Sequence, residues 1–582
     1  MSFKTLAIGL LVILPGCGPK APSTGVQRVA ILPFENLSTD ASLDWIGSLA
    51  PVIVARQTAG ASGMVTVSLA ADHDLAAQRI TSVVRGYYQK EGSQLRLRAA
   101  LHDVASARVV RWFDQRGPMA GGPLPLLDNV SRELAGKADP YPSSNQEALA
   151  MLGAALASGE AAKRAELAEA AFHKDPRLTA AALEAAPLRA ATGAGAEAVS
   201  IIEAAMRAAS SDWDRAQAGT LLGFLRRDRD QLAGALEVTA RIAPANADVA
   251  RQLGELATRK RDYAKAAGWF AKATDAEPGY IGLWNLRAYA EAYGLNFSGA
   301  KQSTKRYRDL APLDPNAYDT TGEILWMAGE FAEAGQSFVQ AQEKDPQFSG
   351  GLEFAKAAFS LWMAGDAAAA DSMFQRYLES RRALSDPIVD LRHAHWLFLS
   401  GRQDQALTMA AKIAGTGGEI GSRALSFVSF WHTRIGQRDL AREEAAKAAT
   451  LARSPGSQSM AALAGLFAQP KASPAEWQER VGKVVGPQAP ASFRTSAVVY
   501  ALFLDGHYRE AAKLLDALLS DATPGTVDEL QALLGGAQLL AGDKQAAART
   551  LGRWPLPPQP GESLFASLWF PAVKDWRAQA LK

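Results

Sequence analysis

Apolar and polar positions near the amino end follow a short-range pattern. Val29-Ala30-Ile31-Leu32 is apolar on both faces and stops at Pro33, as an interior strand covered on both sides does. A polar turn, Asn36-Leu37-Ser38-Thr39-Asp40, follows, and Ser42 stands where it can cap an apolar-periodic helix carrying Trp45, Leu49 and Val52. The pattern then predicts a strand over Met64 to Val67 and a helix over 71–79. Two β-rich runs, Ser82 to Tyr88 and Gln94 to Val104, meet at Glu91-Gly92 as in a hairpin, and a last strand, Arg108 to Phe113, precedes a helix from Leu124 to Gly136. The expectation is a small mixed-sheet α/β domain over 25–137, followed by a Pro- and Ser-rich linker at 138–144.

Several of these runs, taken in order, carry a resemblance. Val29-Ala30-Ile31-Leu32-Pro33-Phe34-Glu35-Asn36-Leu37-Ser38, Val83-Val84-Arg85-Gly86, Leu95-Arg96-Leu97, Leu101-His102-Asp103 and Trp112 resemble the TolB-like N-terminal domain that often precedes helical repeats in bacterial proteins. The resemblance implies a noncatalytic module used in assembly or sensing, and it assigns no residue a chemical role.

Beyond the linker no strand pattern remains, and the chain becomes periodic. Pro176, Pro244, Pro278, Pro312 and Pro346 stand 68, 34, 34 and 34 residues apart. Gly159, Gly193, Gly329, Gly365, Gly401, Gly436, Gly506 and Gly542 are spaced by 34, 136, 36, 36, 35, 70 and 36, which are whole multiples of nearly the same period. Within that period Leu253, Gly254, Ala266, Phe270, Ala273 and Pro278 mark one unit, and Gly322, Gly329, Ala334, Phe338, Ala341 and Pro346 another. These residues resemble the tetratricopeptide repeat, a helical hairpin in which small residues let two helices approach and an aromatic fills the gap to the next hairpin. Trp284, Ala288, Ala300 and Pro312 mark a weaker unit, 455–490 fits poorly, and Pro187 falls inside a predicted helix. Occupied and skipped positions together give about 12 hairpins. The fold class expected is α+β: the mixed-sheet domain, then an all-α tetratricopeptide-type superhelical solenoid over 145–582 with a C-terminal cap.

Composition narrows the class of partner. Apolar residues make up 48 % of the 582, and 62 Lys plus Arg nearly balance 60 Asp plus Glu with no dense basic block, so nucleic acid is not an expected partner. The single cysteine, Cys17, excludes intrachain disulfides and multi-cysteine metal clusters. It ends a segment that opens with Lys4 and runs through the apolar stretch Leu6 to Leu14. That stretch is shorter than the roughly 20 residues of a spanning helix and suits a signal-peptide core. Leu14-Pro15-Gly16-Cys17 resembles a bacterial lipobox, although Pro15 stands where that box usually has a small residue. The resemblance implies an acylated Cys17 and, with Gly18 rather than aspartate next, an outer-membrane lipoprotein facing the periplasm. Residues 1–24 are then signal peptide and tether.

The remaining chemical motifs dissolve on inspection. Gly193-Ala194-Gly195-Ala196-Glu197-Ala198 imitates a dinucleotide fingerprint, but an alanine-rich helix precedes it where a strand is required. Ser298-Gly299-Ala300-Lys301 lacks the companion motifs of penicillin-recognising enzymes. His393 and His395 are two apart, which points them in different directions on a helix, whereas zinc-binding helices use three or four. No enzyme, cofactor or metal is expected.

The expected function is a lipid-anchored scaffold or adaptor that binds protein or peptide partners in envelope assembly. A sensory or signalling subunit is the alternative reading. In tetratricopeptide arrays the first helix of each hairpin lines the concave face. Carried onto this periodicity, the resemblance implies inward-pointing Asn285, Tyr289, Asn316, Glu323, Trp326, Phe359, Trp362, His395, Phe398 and Phe430. For the anchor, Cys17→Ser is expected to move the mature chain out of the membrane fraction. Retention in washed membranes would exclude anchoring through this cysteine.

Overall fold

The computed structural model describes residues 25–70, 75–486, 488–520, 528–554, 558 and 564–582; the predicted signal segment, with Cys17, lies outside them. Two compact units divide the chain: Met1–Asn246 with Asp275–Pro278, and Ala247–Thr274 with Gly279–Lys582.

The first unit opens with β1 (Gln27–Ile31), β2 (Glu35–Asn36), helix α1 (Trp45–Gln57) and β3 (Met64–Ser68). Then follow β4 (Ser82–Glu91), β5 (Gln94–Asp103), β6 (Val109–Pro118) and α2 (Leu124–Ala135). The sheet order is β3-β1-β4-β5-β6, with β2 also paired to β4. β1 runs parallel to both neighbours while β4, β5 and β6 are antiparallel. A central parallel strand is covered on both faces, which is why β1 is apolar throughout. Val29 and Ile31 enter the core with α1, and Ala30 packs with Leu32, Ile80 and Val83 on the other side. The expected helix over 71–79 is not found where it can be seen, because 75–79 form a turn. Ser42 is not the cap expected of it either. Asp40 accepts from the Ser42 backbone N–H to start a short 3-10 turn, and α1 begins after it.

Six further helices complete this unit: α3 (Gln146–Ala157), α4 (Ala161–Lys174), α5 (Thr179–Ala191), α6 (Gly195–Ala208), α7 (Asp212–Arg226) and α8 (Arg229–Ile242). They do not hang from a free linker. Within 138–144, the Asp139 N–H donates to Gln57 O, and the buried Ser143 hydroxyl donates to Asp175 at 2.7 Å. Gly153 of α3 approaches so closely that a Cβ there would stand 2.3 Å from the Trp45 carbonyl oxygen of α1. Arg56 of α1 pairs with Asp214 of α7 at 2.7 Å. Ile53, Leu127, Leu149, Phe172, Ile202 and Leu222 therefore share one core, and the compact boundary falls after Asn246 rather than at 138–144.

Five hairpins begin the rest of the chain: α9 (Ala247–Arg259) with α10 (Tyr263–Ala276), α11 (Ile281–Tyr293) with α12 (Phe297–Leu310), α13 (Pro315–Ala328) with α14 (Phe331–Lys344), α15 (Leu352–Ala364) with α16 (Ala367–Ala383), and α17 (Val389–Leu399) with α18 (Gln403–Ala414). Four more follow: α19 (Gly418–Arg434) with α20 (Arg438–Leu451), α21 (Pro455–Phe467) with α22 (Pro474–Val485), α23 (Ala491–Asp505) with α24 (Tyr508–Leu519), and α25 (Asp528–Leu540) with α26 (Lys544–Thr550). A last helix, α27 (Leu564–Leu581), ends the chain. From α3 to α26 the described residues form twelve hairpins of the tetratricopeptide type, the number the periodicity predicts. Among the described residues no helix is long and apolar enough to cross a membrane.

One turn geometry recurs at the hairpin tips. The first helix ends in a left-handed residue, and the next residue's N–H donates to the carbonyl five positions back, as Glu330 does to Leu325 O and Arg402 to Leu397 O. Gly329 and Gly401 take the left-handed position, with φ of +84° and +88°. The long gap in the glycine spacing is now explained. Arg227, Arg261 and Leu295, exactly one repeat apart in sequence, adopt the same left-handed turn without being glycine, at φ of 56°, 59° and 64°.

The small residues let the paired helices approach as expected, but the aromatic expected to fill the gap to the next hairpin lies against the small residue of its own hairpin. A Cβ on Gly254 or Gly322 would stand 2.6 Å from the ring of Phe270 or Phe338 respectively. The poorly matched 455–490 still forms a hairpin, because Ser454 caps α21 and Ser473 with Glu476 forms a capping box on α22. Ala266 and Ala334 are fully buried. Ala266→Leu and Ala334→Leu should each cost about 1–3 kcal/mol by overpacking, read as a lower urea midpoint. Unchanged midpoints in both would mean that the repeat positions are misassigned.

Candidate functional site

Helices α11, α13 and α15 are the first helices of three successive hairpins, and residues three or four apart on each share a face. Those faces meet in a polar ladder. Asn285 Nδ2 of α11 donates to Thr320 Oγ1 of α13 at 3.0 Å, and the Tyr289 hydroxyl donates to Glu323 Oε2 at 2.5 Å. From α15, Lys356 Nζ donates to Asp319 Oδ1 at 2.6 Å and to Glu323 Oε1 at 3.1 Å. Each rung spans about one repeat, so equivalent positions on neighbouring hairpins are tied together.

The ladder carries more acid than base. Asp319, Glu323 and Glu353 surround the single ammonium of Lys356, with Glu353 Oε1 3.4 Å away. Glu353 is fully buried, and neither of its oxygens makes a hydrogen bond among the described residues. Burial, then the neighbouring charge of Asp319, pushes its carboxyl up to about 9. Burial works against the Lys356 ammonium, but Glu323, Asp319 and Glu353 outweigh it and hold the group above its ordinary value. Tyr289 is raised well above a free phenol by burial and by the charge of Glu323. Glu323 keeps about a quarter of its side-chain surface exposed, so the ladder reaches solvent there.

Of the ten residues expected to line a groove, Asn285, Tyr289 and Glu323 are thus brought together, half-buried. Asn316 adjoins them through Tyr307, donating to its hydroxyl, which also meets Asn285 and in turn donates to Asp314. Five of the rings require a correction. Trp326, Phe359, His395, Phe398 and Phe430 are buried, and they pack between elements instead of facing an open groove. Trp326 meets Phe331 and Trp554 edge-on, at 5.0 and 5.9 Å between ring centres. Phe359 meets Trp396 at 5.0 Å, and Phe398 lies flat on Trp431 of the next first helix at 4.6 Å. His395 sits against Phe427, and Phe430 against Phe427 and Phe467. Burial holds His395 down to about 3, so it is a neutral core ring. The physical reason is that adjacent first helices stand close enough for large rings to bridge them, which buries such rings between helices. Trp362 stays half-buried.

Asp319, Thr320, Glu353 and Lys356 were not anticipated, although a signal was present. Asp319 lies 34 residues after Asn285, and Glu353 lies 34 after Asp319, so the repeat itself marks them as one column. Among the described residues no group of His, Cys, Asp and Glu is placed to hold a metal ion.

No family model and no curated protein matches the chain. Solved structures similar to it include YrrB, described as a TPR protein with an unusual peptide-binding site, at 14 % identity over 32 % of this chain and 95 % of that one, with a TM-score of 0.28. The C-terminal part of a TPR repeat-containing protein from Cytophaga hutchinsonii is 13 % identical over 39 % of this chain and 91 % of that one, at 0.33. A chain of the Naa15/Naa10 complex bound to HypK-THB is 14 % identical over 70 % and 68 %, at 0.34.

The buried Glu353 sets a pH dependence. Its folded value lies above the ordinary 4.5, so the stability attached to its protonated form is full below that value and is lost as pH rises toward about 9. Glu353→Gln keeps the shape without the ionisation. The variant should therefore exceed the parent in urea-derived unfolding free energy at about pH 8, by roughly 1–3 kcal/mol, and the difference should shrink at about pH 5. A gap that widens at the acid end would overturn this assignment.

Proposed function

We propose that the chain is a lipid-anchored scaffold of the bacterial envelope that holds a protein partner along the first-helix face of its second unit. The observation that carries the reading is the polar ladder of α11, α13 and α15. It presents hydrogen-bonding groups in one column across successive hairpins, with Glu323 partly exposed and more carboxylate than ammonium. A row of this kind suits an extended or helical partner bearing basic and amide groups, because each hairpin offers a similar contact one repeat further along. The mixed-sheet domain, TolB-like in its motifs, serves as a noncatalytic module, and acylation at Cys17 places both units on the periplasmic side, at the outer membrane. Binding rather than catalysis is the activity that this arrangement supports.

The test is photo-crosslinking in intact cells. A photoreactive residue at Asn285 or Trp362, on first helices, is compared with one at Lys305 on the second helix α12, which is exposed. Discrete adducts with envelope proteins are expected from the first-helix positions alone. The same adducts from Lys305, or none from either face, would overturn the reading.

A further inference from the structure

The mixed sheet of the first unit ends in a strand whose outer edge is bare. β6 pairs only with β5, and that pairing shows which of its backbone groups are left over. The Met119 N–H donates to Ser93 O directly opposite it, so these two residues form a hydrogen-bonded pair. Such pairs alternate along an antiparallel ladder, which makes Gly117, Gln115 and Phe113 the β6 residues that bond to β5. The N–H and C=O groups of Trp112, Asp114 and Arg116 point the other way. Among the described residues no backbone group pairs with them.

The same three residues belong to the open face of the sheet. Register sets Trp112 beside Ala100 and Arg85, Asp114 beside Arg98 and Tyr87, and Arg116 beside Arg96 and Gln89. The intervening Phe113 enters the core with Leu97 and Tyr88, as alternation along a strand requires. Folded proteins blunt a free edge with short strands, internal proline or bulges. β6 is ten residues long, and Pro118 only ends it. The irregularity in its pairing falls near its start, between Val109 and Arg111, and leaves the remainder regular. The strand also carries apolar surface, with Trp112 69 % and Val110 63 % exposed.

Charge along this edge is unbalanced. Arg96 and Arg98 share Asp114, at 2.6 and 3.0 Å, and Arg96 also reaches Glu91 at 3.4 Å. Arg116 comes only within 3.7 Å of Glu91, with half of its side chain exposed. Three guanidiniums thus share two carboxylates. A second copy paired edge to edge would bring this excess of positive charge against itself, whereas an acidic strand would complete the set.

We propose that the outer edge of β6 is a docking edge for an extended acidic segment of a partner protein, which adds to the sheet as a further strand. The segment's backbone pairs with the N–H and C=O groups of Trp112, Asp114 and Arg116, and its carboxylates on the open face meet Arg116 and its neighbours. Its alternate residues are apolar and continue the core face beyond Phe113. Trp112 supplies apolar area that the added strand covers. This surface lies in the first unit and is independent of the ladder of α11, α13 and α15.

The experiment titrates a fluorescein-labelled peptide of about ten residues, alternating glutamate with valine, into the full chain and follows anisotropy. The peptide is expected to bind. Trp112→Ala and Arg116→Glu, both at exposed positions, are each expected to weaken it at least about tenfold with circular dichroism unchanged. A peptide with lysine in place of glutamate should not bind. Strand addition has a further signature, because only every second amide of an added strand faces its neighbour. N-methylation of one alternate set of peptide amides should therefore abolish binding, and methylation of the other set should leave it. No binding of the glutamate peptide, undiminished binding by both variants, or the same response to both methylated sets would overturn the proposal. So would dimerisation of the full chain, seen by sedimentation, that Trp112→Ala abolishes, since the occupant would then be a second copy.

Discussion

The helical array depends on reversing the chain in very few residues without stranding backbone polar groups. Each first helix ends with carbonyls that have no partner within the helix. The left-handed residue at the tip turns the chain so that the following N–H reaches the carbonyl five positions back, satisfying one of those groups while starting the second helix. Because the same bond closes one hairpin after another, the tips recur at a constant interval and the first helices fall into a row. The polar ladder follows from that row. Where the left-handed residue is Arg227, Arg261 or Leu295, the turn is kept despite the steric cost of a side chain there, so packing of the two helices outweighs local preference.

Aromatic residues take a structural part where first helices stand side by side. Phe359 with Trp396, and Phe398 with Trp431, bridge one first helix to a neighbouring one, and each pair buries far more apolar surface than an exposed ring would. Polar residues take over at α11, α13 and α15. There the helices are joined by a network in which one ammonium faces Asp319, Glu323 and Glu353, and burial raises the Glu353 carboxyl. The first is a dry seam that fixes neighbouring hairpins. The second is a polar column that stays partly exposed at Glu323.

The first unit shows the opposite solution to the problem of a small sheet. A few strands with two helices bury little apolar surface alone, and here the three hairpins that follow complete their core through Leu149, Phe172, Ile202 and Leu222. Gly153 against the Trp45 carbonyl and Arg56 with Asp214 fix that junction. The proline-rich segment between them reads as a linker because of its composition, yet its backbone and Ser143 are hydrogen-bonded into the unit.

Local and periodic features were determined by the sequence. The strand at Val29–Ile31, the hairpin at Glu91-Gly92, the repeat interval and the number of hairpins all follow from alternation and spacing, which are set by backbone geometry that any chain shares. The small position at Gly254 was equally legible, but that the Phe270 ring would lie on it, within its own hairpin, was not. Tertiary structure alone decided which face of each first helix is open. A helix turns about 100° per residue, so a shift of one position moves a ring from solvent into a seam, and nothing local distinguishes Phe398 in the core from a ring on a groove. It also decided that the sheet and the first three hairpins form one unit, and that α27 lies on helix ends far back in the chain. Those contacts join residues more than two hundred positions apart, as Lys574 and Met363 are, and they depend on the accumulated placement of every hairpin between, which no local pattern encodes.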